Sequence, residues 1–301
     1  MSNQRRRILG VGVAALDIIQ EVADYPSEDT ELRALSRCIR RGGNVANTLA
    51  VLRQLGHDCA WAGVLGGDAE GANVLKDLDL RGIATDSCVR HREGSTPTSY
   101  VLLSRATGSR TIVHYRDLPE LSAAEFSRIR LAGFDWVHFE GRDPRETAPM
   151  LRDCARRLPG IGISLEIEKP RPHIRSLFMG PDVLIFSRHY ALSIGYASPR
   201  RFLSEQWGHT DARMLVLAWG EDGAYAQSRG GGVCFAPAYT PPRIRDTLGA
   251  GDVFNAAVVD GLLAGLAPPA MLARCNALAG HKCGMRGLED LVASAREAGI
   301  L

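Results

Sequence analysis

No stretch of this 301-residue sequence approaches the ~18 consecutive apolar residues that a membrane span needs, so no membrane partner is expected. The seven cysteines (Cys38, Cys59, Cys88, Cys154, Cys234, Cys275 and Cys283) include no C-x-x-C and no Cys–His group at metal-ligand spacing. Such an odd, scattered set reads as thiols of a reducing compartment, and the expected location is cytoplasmic. Charge bias is missing as well: a net charge of +2 is too small to draw nucleic acid. Lysine is scarce. Of 36 lysines and arginines only Lys76, Lys169 and Lys282 are lysines, so arginine has the ordinary surface role and each lysine stands out. There is no internal repeat and no low-complexity linker. A chain of this length can bury roughly three quarters of its unfolded surface around one core, and residues 1–301 are expected to form one domain.

What is present is an alternation of strand-like and helix-like segments. The apolar run 8–13 suits a strand buried on both faces. Arg5-Arg6-Arg7 ahead of it imitates a signal peptide, but Asp17 interrupts the run and no small-residue cleavage site follows. Gly10-Val11-Gly12-Val13-Ala14-Ala15 matches a dinucleotide fingerprint, yet that fingerprint needs a helix to open at the glycines, and Ile18, Ile19 and Val22 continue as strand. The segment 30–39 reads as an extended flap strand. A helix follows with Val45, Leu49, Leu52 and Leu55 on one face. Next come a strand over 59–65, a helix from Asp68 to Leu80, and two short strands, 98–103 and 111–115, joined by the turn Ala106-Thr107-Gly108-Ser109. Strands over 136–140, 161–166, 183–186 and 214–218 then alternate with helices over 147–158, 188–194 and 199–207. A glycine-rich turn at 229–232 and helices over 251–264, 268–283 and 288–298 complete the chain. The pattern predicts an α/β fold, a largely parallel sheet sandwiched between helices, with a β lid from about 16–40 and 98–115.

Chemistry concentrates in Asp246-Thr247-Leu248-Gly249-Ala250-Gly251-Asp252, directly before an apolar run. Two glycines around one alanine keep side chains away, and a helix opening at Gly251 or Asp252 would aim unpaired amides and a positive dipole end at one point. Such a point attracts phosphate. Asp252 would sit beside the anion as a base, and cradle plus base is what phosphoryl transfer to a hydroxyl requires. The alternative is a plain turn and a plain helix cap. Other groups weigh on the choice. Ligands of open α/β sheets bind beyond the carboxyl ends of the strands, where Asp17, Glu140-Gly141-Arg142 and Glu166-Ile167-Glu168-Lys169 fall. Asp17 and Asp29 flank the flap. Asn44 and Asn47 share one side of a first helical turn; capping explains the first, but the poor helix propensity of asparagine favours ligand contact for the second. Carboxylates and amides of this kind hold sugar hydroxyls, so the set suggests a polyol held against a phosphate.

Arg41-Gly42-Gly43-Asn44-Val45-Ala46-Asn47 and the 246–252 stretch resemble the two signatures of the ribokinase family of sugar kinases, the phosphofructokinase B type. Gly108-Ser109-Arg110-Thr111-Ile112, Glu140-Gly141-Arg142, Glu168-Lys169-Pro170-Arg171, Pro241-Pro242-Arg243 and Lys282-Cys283-Gly284 are similar to its ketohexokinase branch. The likeness covers about residues 8–290. It implies a ribokinase-like three-layer α/β/α sandwich and an ATP-dependent sugar kinase using Mg2+, with K+ a further candidate. Asp252 would be the general base, and Gly249, Ala250 and Gly251 would supply amides to the transferring phosphoryl group. Asp17, Gly43, Asn44, Asn47 and Lys169 would surround the sugar, with Asp29 reaching in from a lid. Arg110 would meet the phosphates, Gly220, Glu221, Asp222 and Gly223 would flank the nucleotide, and Pro241, Pro242, Asn276, Gly280 and Cys283 would surround the adenine. Asp246 matches a position where the family often binds a monovalent cation, and two lids would clasp in a homodimer. One departure is Ser187-Arg188-His189-Tyr190, which lacks the Asn-x-x-Glu of many relatives near magnesium and leaves Glu166 and Glu168 as the candidate magnesium pair. The expected reaction is phosphorylation of fructose at its 1-hydroxyl. A kinase for ribose, a nucleoside or a sugar acid, and a non-catalytic sugar-binding regulator, are the alternatives.

Overall fold

The computed structural model describes residues 5–107 and 109–301. Gly108, expected within the lid turn, lies outside the described residues. The strands are β1 (Arg7–Val11), β2 (Ala15–Val22), β3 (Ser36–Gly42), β4 (Asp58–Gly66), β5 (Ile83–His91), β6 (Thr98–Ser104), β7 (Arg110–Tyr115), β8 (Trp136–Glu140), β9 (Gly162–Ile167), β10 (Val183–Ser187), β11 (Met214–Ala218), β12 (Ala224–Ser228) and β13 (Val233–Ala236). The helices are α1 (Asn44–Gln54), α2 (Ala69–Leu80), α3 (Ala123–Phe126), α4 (Pro144–Arg157), α5 (Arg188–Ser193), α6 (Pro199–Gln206), α7 (Ala250–Leu263), α8 (Pro268–Cys283) and α9 (Leu291–Glu297).

Short apolar runs with no polar face form strands that must be covered on both sides. Seven of them pair in parallel in a nine-stranded sheet of order β13-β12-β11-β10-β9-β8-β1-β4-β5, with the β12–β13 hairpin antiparallel at one edge. Alternate residues of β1 feed two cores: Ile8 packs with Val45 and Leu49 under α1, whereas Leu9 and Val11 pack with Phe126 and Met150. The expected helix–sheet–helix sandwich is therefore present. The strand over 8–13 is the interior strand β1, between β8 and β4, and Gly12 to Ala15 run straight into β2 with no helix, so the fingerprint glycines open no dinucleotide site of the expected kind.

A second sheet, of order β3-β2-β6-β7, forms the lid. Its β2 leaves β1 after three residues, so the lid springs directly from the carboxyl end of that interior strand. Two local readings differ from the structure. Residues 30–35 are irregular and the flap strand begins only at Ser36. The strand β5 was not foreseen, because an edge strand lies half in water and its polar sequence (Thr85, Asp86, Ser87) hides the pattern that buried strands show.

Candidate active site

Adjacent strands β1 and β8 mark where the strand order reverses, since later strands run outward from β1 through β4 on one side and from β8 through β9 on the other. A crevice opens at such a reversal. Here it is a cleft of about 560 Å³ roofed by the lid, with lining residues from both sheets and from the starts of α1 and α7. Its floor is tight: the Val13 amide donates to Glu140 Oε2 at 2.9 Å, and a Cβ on Gly12 would stand 2.7 Å from that oxygen.

Two helix N-termini meet across the cleft. The first residue of α7 is Ala250, one earlier than expected, preceded by Gly249 at φ +85°, a left-handed turn that glycine adopts without strain. Among the described residues, no backbone partner takes the Gly251 or Asp252 amide, and a Cβ on Gly251 would meet nothing within 4 Å. The cradle is thus open. Asp252 is 7 % exposed and accepts from Asn47 Nδ2 at 2.7 Å. Asn47 cannot flip, because Arg41 Nη1 donates to its Oδ1 at 2.9 Å while Arg41 Nε is held by Asp77 at 2.7 Å. Asn44 is the first residue of α1 rather than its cap, which is Gly43 at φ +95°. Its amide reaches Glu166 and Glu168, each at 3.2 Å. Both asparagines therefore face the cleft side, as their spacing predicts.

Four carboxylates, Asp252, Glu140, Glu166 and Glu168, share this region. Burial first, and Glu166 second, raise Asp252 well above the usual carboxylate range. Burial together with the Glu140 and Glu168 charges pushes Glu166 up to about 8. Glu140 is raised by burial against the opposing pull of Arg142. The carboxylates crowd one another at the floor of a cleft rimmed by Arg110, Arg142, Lys169 and Arg171, with Arg142 3.3 Å from Glu140 and Lys169 3.2 Å from Glu168, so the rim offsets part of the charge that Asp252 and Glu166 feel.

Strand register adds residues that spacing within one segment could not reveal. Asp17 lies between Arg40 of β3 and Ser99 of β6, and Ser99 pairs with His114 of β7. The Ser99 Oγ is 3.2 Å from His114 Nδ1. Asp17, Ser99 and His114 line the cleft with Val101 and Ile112. Asp17 is raised by burial, opposed by the Ser99 hydroxyl. A Cβ on Gly42 would fall 2.3 Å from the Asp17 carboxylate, which accounts for the paired glycines at 42–43.

Of the other expected residues, Lys169 and Arg110 line the cleft; Lys169 Nζ is 3.2 Å from Glu168, and Arg110 donates to Thr247 Oγ1. Asp29 is exposed and does not line it. Gly220, Glu221 and Asp222 form a 3-10 turn after β11, followed by Gly223 at φ +125°; Arg188 lies over Trp219 at 5.5 Å and close to both acids. Pro241, Pro242, Asn276, Gly280 and Cys283 gather along α8 and the segment leading to 246, outside the cleft-lining residues. There Asn276 Nδ2 donates to the Ala236 and Pro237 carbonyls, and a Cβ on Gly280 would be 2.0 Å from Tyr239 O, so both hold the segment against α8. Asp246 faces Lys282 and Arg40. Among the described residues, no group of three or more His, Cys, Asp or Glu side chains converges as metal ligands, and no helix is long and apolar enough to cross a membrane.

A family model described as pfkB family carbohydrate kinase matches residues 6–293. Mouse ketohexokinase is 36 % identical over 297 residues, covering 96 % of this chain and 100 % of that protein. An ATP-dependent ribose-1-phosphate kinase of Halopiger xanaduensis is 24 % identical, covering 84 % and 83 %. Among solved structures, ribokinase of Arabidopsis thaliana, complexed with ribose and ATP, superposes with a TM-score of 0.78 at 18 % identity over 94 % of each chain. Ribokinase of Thermotoga maritima gives 0.76 at 19 % over 95 % of each. These two show that the fold is ribokinase-like.

Proposed function

The chain belongs to the pfkB family of carbohydrate kinases, and from that premise we propose that it transfers the γ-phosphoryl group of ATP to a ketose, fructose at the 1-hydroxyl. The observation that carries the reading is the Asp252 carboxylate, buried at the start of α7 beside two amides that have no backbone partner among the described residues, and held at 2.7 Å by an asparagine that cannot flip. Likeness to mouse ketohexokinase over its whole length supports the ketose.

In this reading the sugar lies under the lid, against Asp17, Asn44 and Asn47, with Gly43 keeping the backbone close and Lys169 at the rim. Asp252 takes the proton of the reacting hydroxyl; its raised affinity for protons suits that task. The Gly249, Ala250 and Gly251 backbone faces the γ-phosphate, and Arg110 approaches its oxygens from the lid. The 220–223 turn and the Pro241, Pro242, Asn276, Gly280 and Cys283 group flank the nucleotide. Glu166 and Glu168 fit a magnesium ion: their carboxylates converge on one amide and crowd each other, and magnesium is commonly held by one or two carboxylates plus phosphates. When bound it neutralises charge on the transferring group. Transition states of this transfer are loose, so positioning and charge matter more than base strength.

Asp252→Asn is expected to lower turnover by about two to four orders of magnitude, the usual weight of acid–base catalysis, while sugar affinity by calorimetry changes little. An ADP-release assay across ketoses, aldoses and nucleosides tests the substrate. Turnover by the variant near that of the native chain would refute the base, and a preference for ribose or a nucleoside would refute the ketose.

A further inference from the structure

Asp246 is surrounded by donors. Lys282 Nζ donates to its carbonyl at 2.6 Å and lies 3.1 Å from Oδ2. Arg40 Nη2 and the Gly287 amide each stand 3.2 Å from the same Oδ2, and the Leu248 amide donates to Oδ1 at 2.9 Å. A monovalent cation needs oxygens that face it with no hydrogen between. Here the carbonyl and both carboxylate oxygens are engaged, so the donor set does not fit the potassium ion that the family resemblance suggests. Lys282 is 0 % exposed, whereas Lys76 and Lys169 reach solvent. In a chain that otherwise uses arginine, an enclosed lysine is informative: ammonium is a compact point charge, close to a monovalent ion in size and in its oxygen partners, and guanidinium is neither. A charge so enclosed is tolerated only when it is paired.

We infer that the Lys282 ammonium is a built-in substitute for a monovalent cation, a positioning residue that holds the 246–249 turn and makes the enzyme independent of potassium. The path to the chemistry is short. The Cys283 carbonyl beside Lys282 accepts the Arg245 amide at 2.8 Å and the Asp246 amide at 3.3 Å, so the end of α8 grips 245–246 from two residues. Asp246 Oδ1 then turns the chain through Leu248, Thr247 receives Arg110 of the lid, and Gly249 opens the cradle. The inference rests on reading the α7 start as a phosphate cradle.

The test uses the full chain exchanged into tetramethylammonium chloride, with K+, Na+ or methylammonium added at constant ionic strength. Effectors typically couple by about 5–150-fold, so the native chain is expected to stay within about twofold in kcat/KM, with an unchanged melting temperature. Lys282→Ala is expected to lose about tenfold or more in kcat/KM for ATP, as loosening of the turn that sets the cradle amides would cause, and to recover part of it with K+ or methylammonium. Its melting temperature should rise with the same ions. Should that variant not fold, Lys282→Met keeps the stem, removes only the charge, and is read the same way. Stimulation of the native chain by K+ beyond fivefold, or a loss in the variant that no small cation relieves, would overturn the inference. Melting is read without substrate, so failure to phosphorylate any sugar would defeat the kinase reading and still leave the lysine tested.

Discussion

Asp252 and Glu166 illustrate how burial and like charge act on single side chains. Both have carboxyl groups held above their ordinary range by burial first and by a neighbouring carboxylate second, Glu166 for Asp252 and Glu140 for Glu166. A group whose folded value is raised contributes stability that is complete below its unfolded value and is lost as pH rises through the folded one. For Glu166 that window runs from the ordinary value of 4.5 to about 8. Glu166→Gln removes the charge and keeps a side chain that Asn44 and Asn255 can still meet. It should therefore raise the melting temperature, by about 2–4 °C for each kcal/mol recovered in a chain of this size. The gain should grow from pH 5 to pH 8, followed by scanning calorimetry. A gain that shrinks over that range would show that Glu166 is ionised and satisfied in the free protein.

At the scale of elements, the two helix starts depend on glycine for different reasons. Gly43 combines φ +95° with a would-be Cβ contact of 2.3 Å to Val13 O. Gly43→Ala should cost about 1–3 kcal/mol in urea denaturation, the range for a residue held in such a conformation, and should weaken sugar binding by displacing Asn44 and Asn47. Gly251 lies inside α7 with open space beside it. Gly251→Ala should leave stability unchanged or raise it by up to about 1 kcal/mol, since alanine favours helix, yet should depress turnover because its methyl enters the cradle. Loss of stability in Gly251→Ala, or full activity in it, would contradict an open cradle at this residue. Both glycine pairs stand out in the sequence by their spacing. Which of them bears steric load is visible only with Val13 and Asp17 beside them.

For the whole molecule, the lid has two unlike faces. In the row Arg40, Asp17, Ser99 and His114, the last three line the cleft. One residue along, Ile39, Ile18, Tyr100 and Val113 pair across the same four strands on the opposite face, and Ile39, Tyr100 and Val113 are exposed. A contiguous apolar stripe of this kind favours association. We propose that two lids clasp there in a homodimer, which would also bring Asp29, exposed and away from its own cleft, within reach of the other subunit. Sedimentation should give a dimer, and Tyr100→Glu with Val113→Glu should give monomers with a raised KM for sugar. A native chain that sediments as a monomer would remove the proposal.

The sequence alone determined the alternation of strands and helices, the sandwich they form, and the candidate cradle ahead of α7. Short-range rules suffice for these, because apolar runs, glycine placement and helix spacing are read within ten residues or so. It did not reveal β5, whose place at a sheet edge depends on pairing with β4, nor the contributions of Ser99 and His114, which come from lid register. It also could not show that Asn47 is locked by Arg41 and Asp77, or that Asp246 already holds an ammonium from 36 residues further on. Those facts depend on which distant side chains the sheet and the helices bring together, and so they were settled only by the tertiary structure.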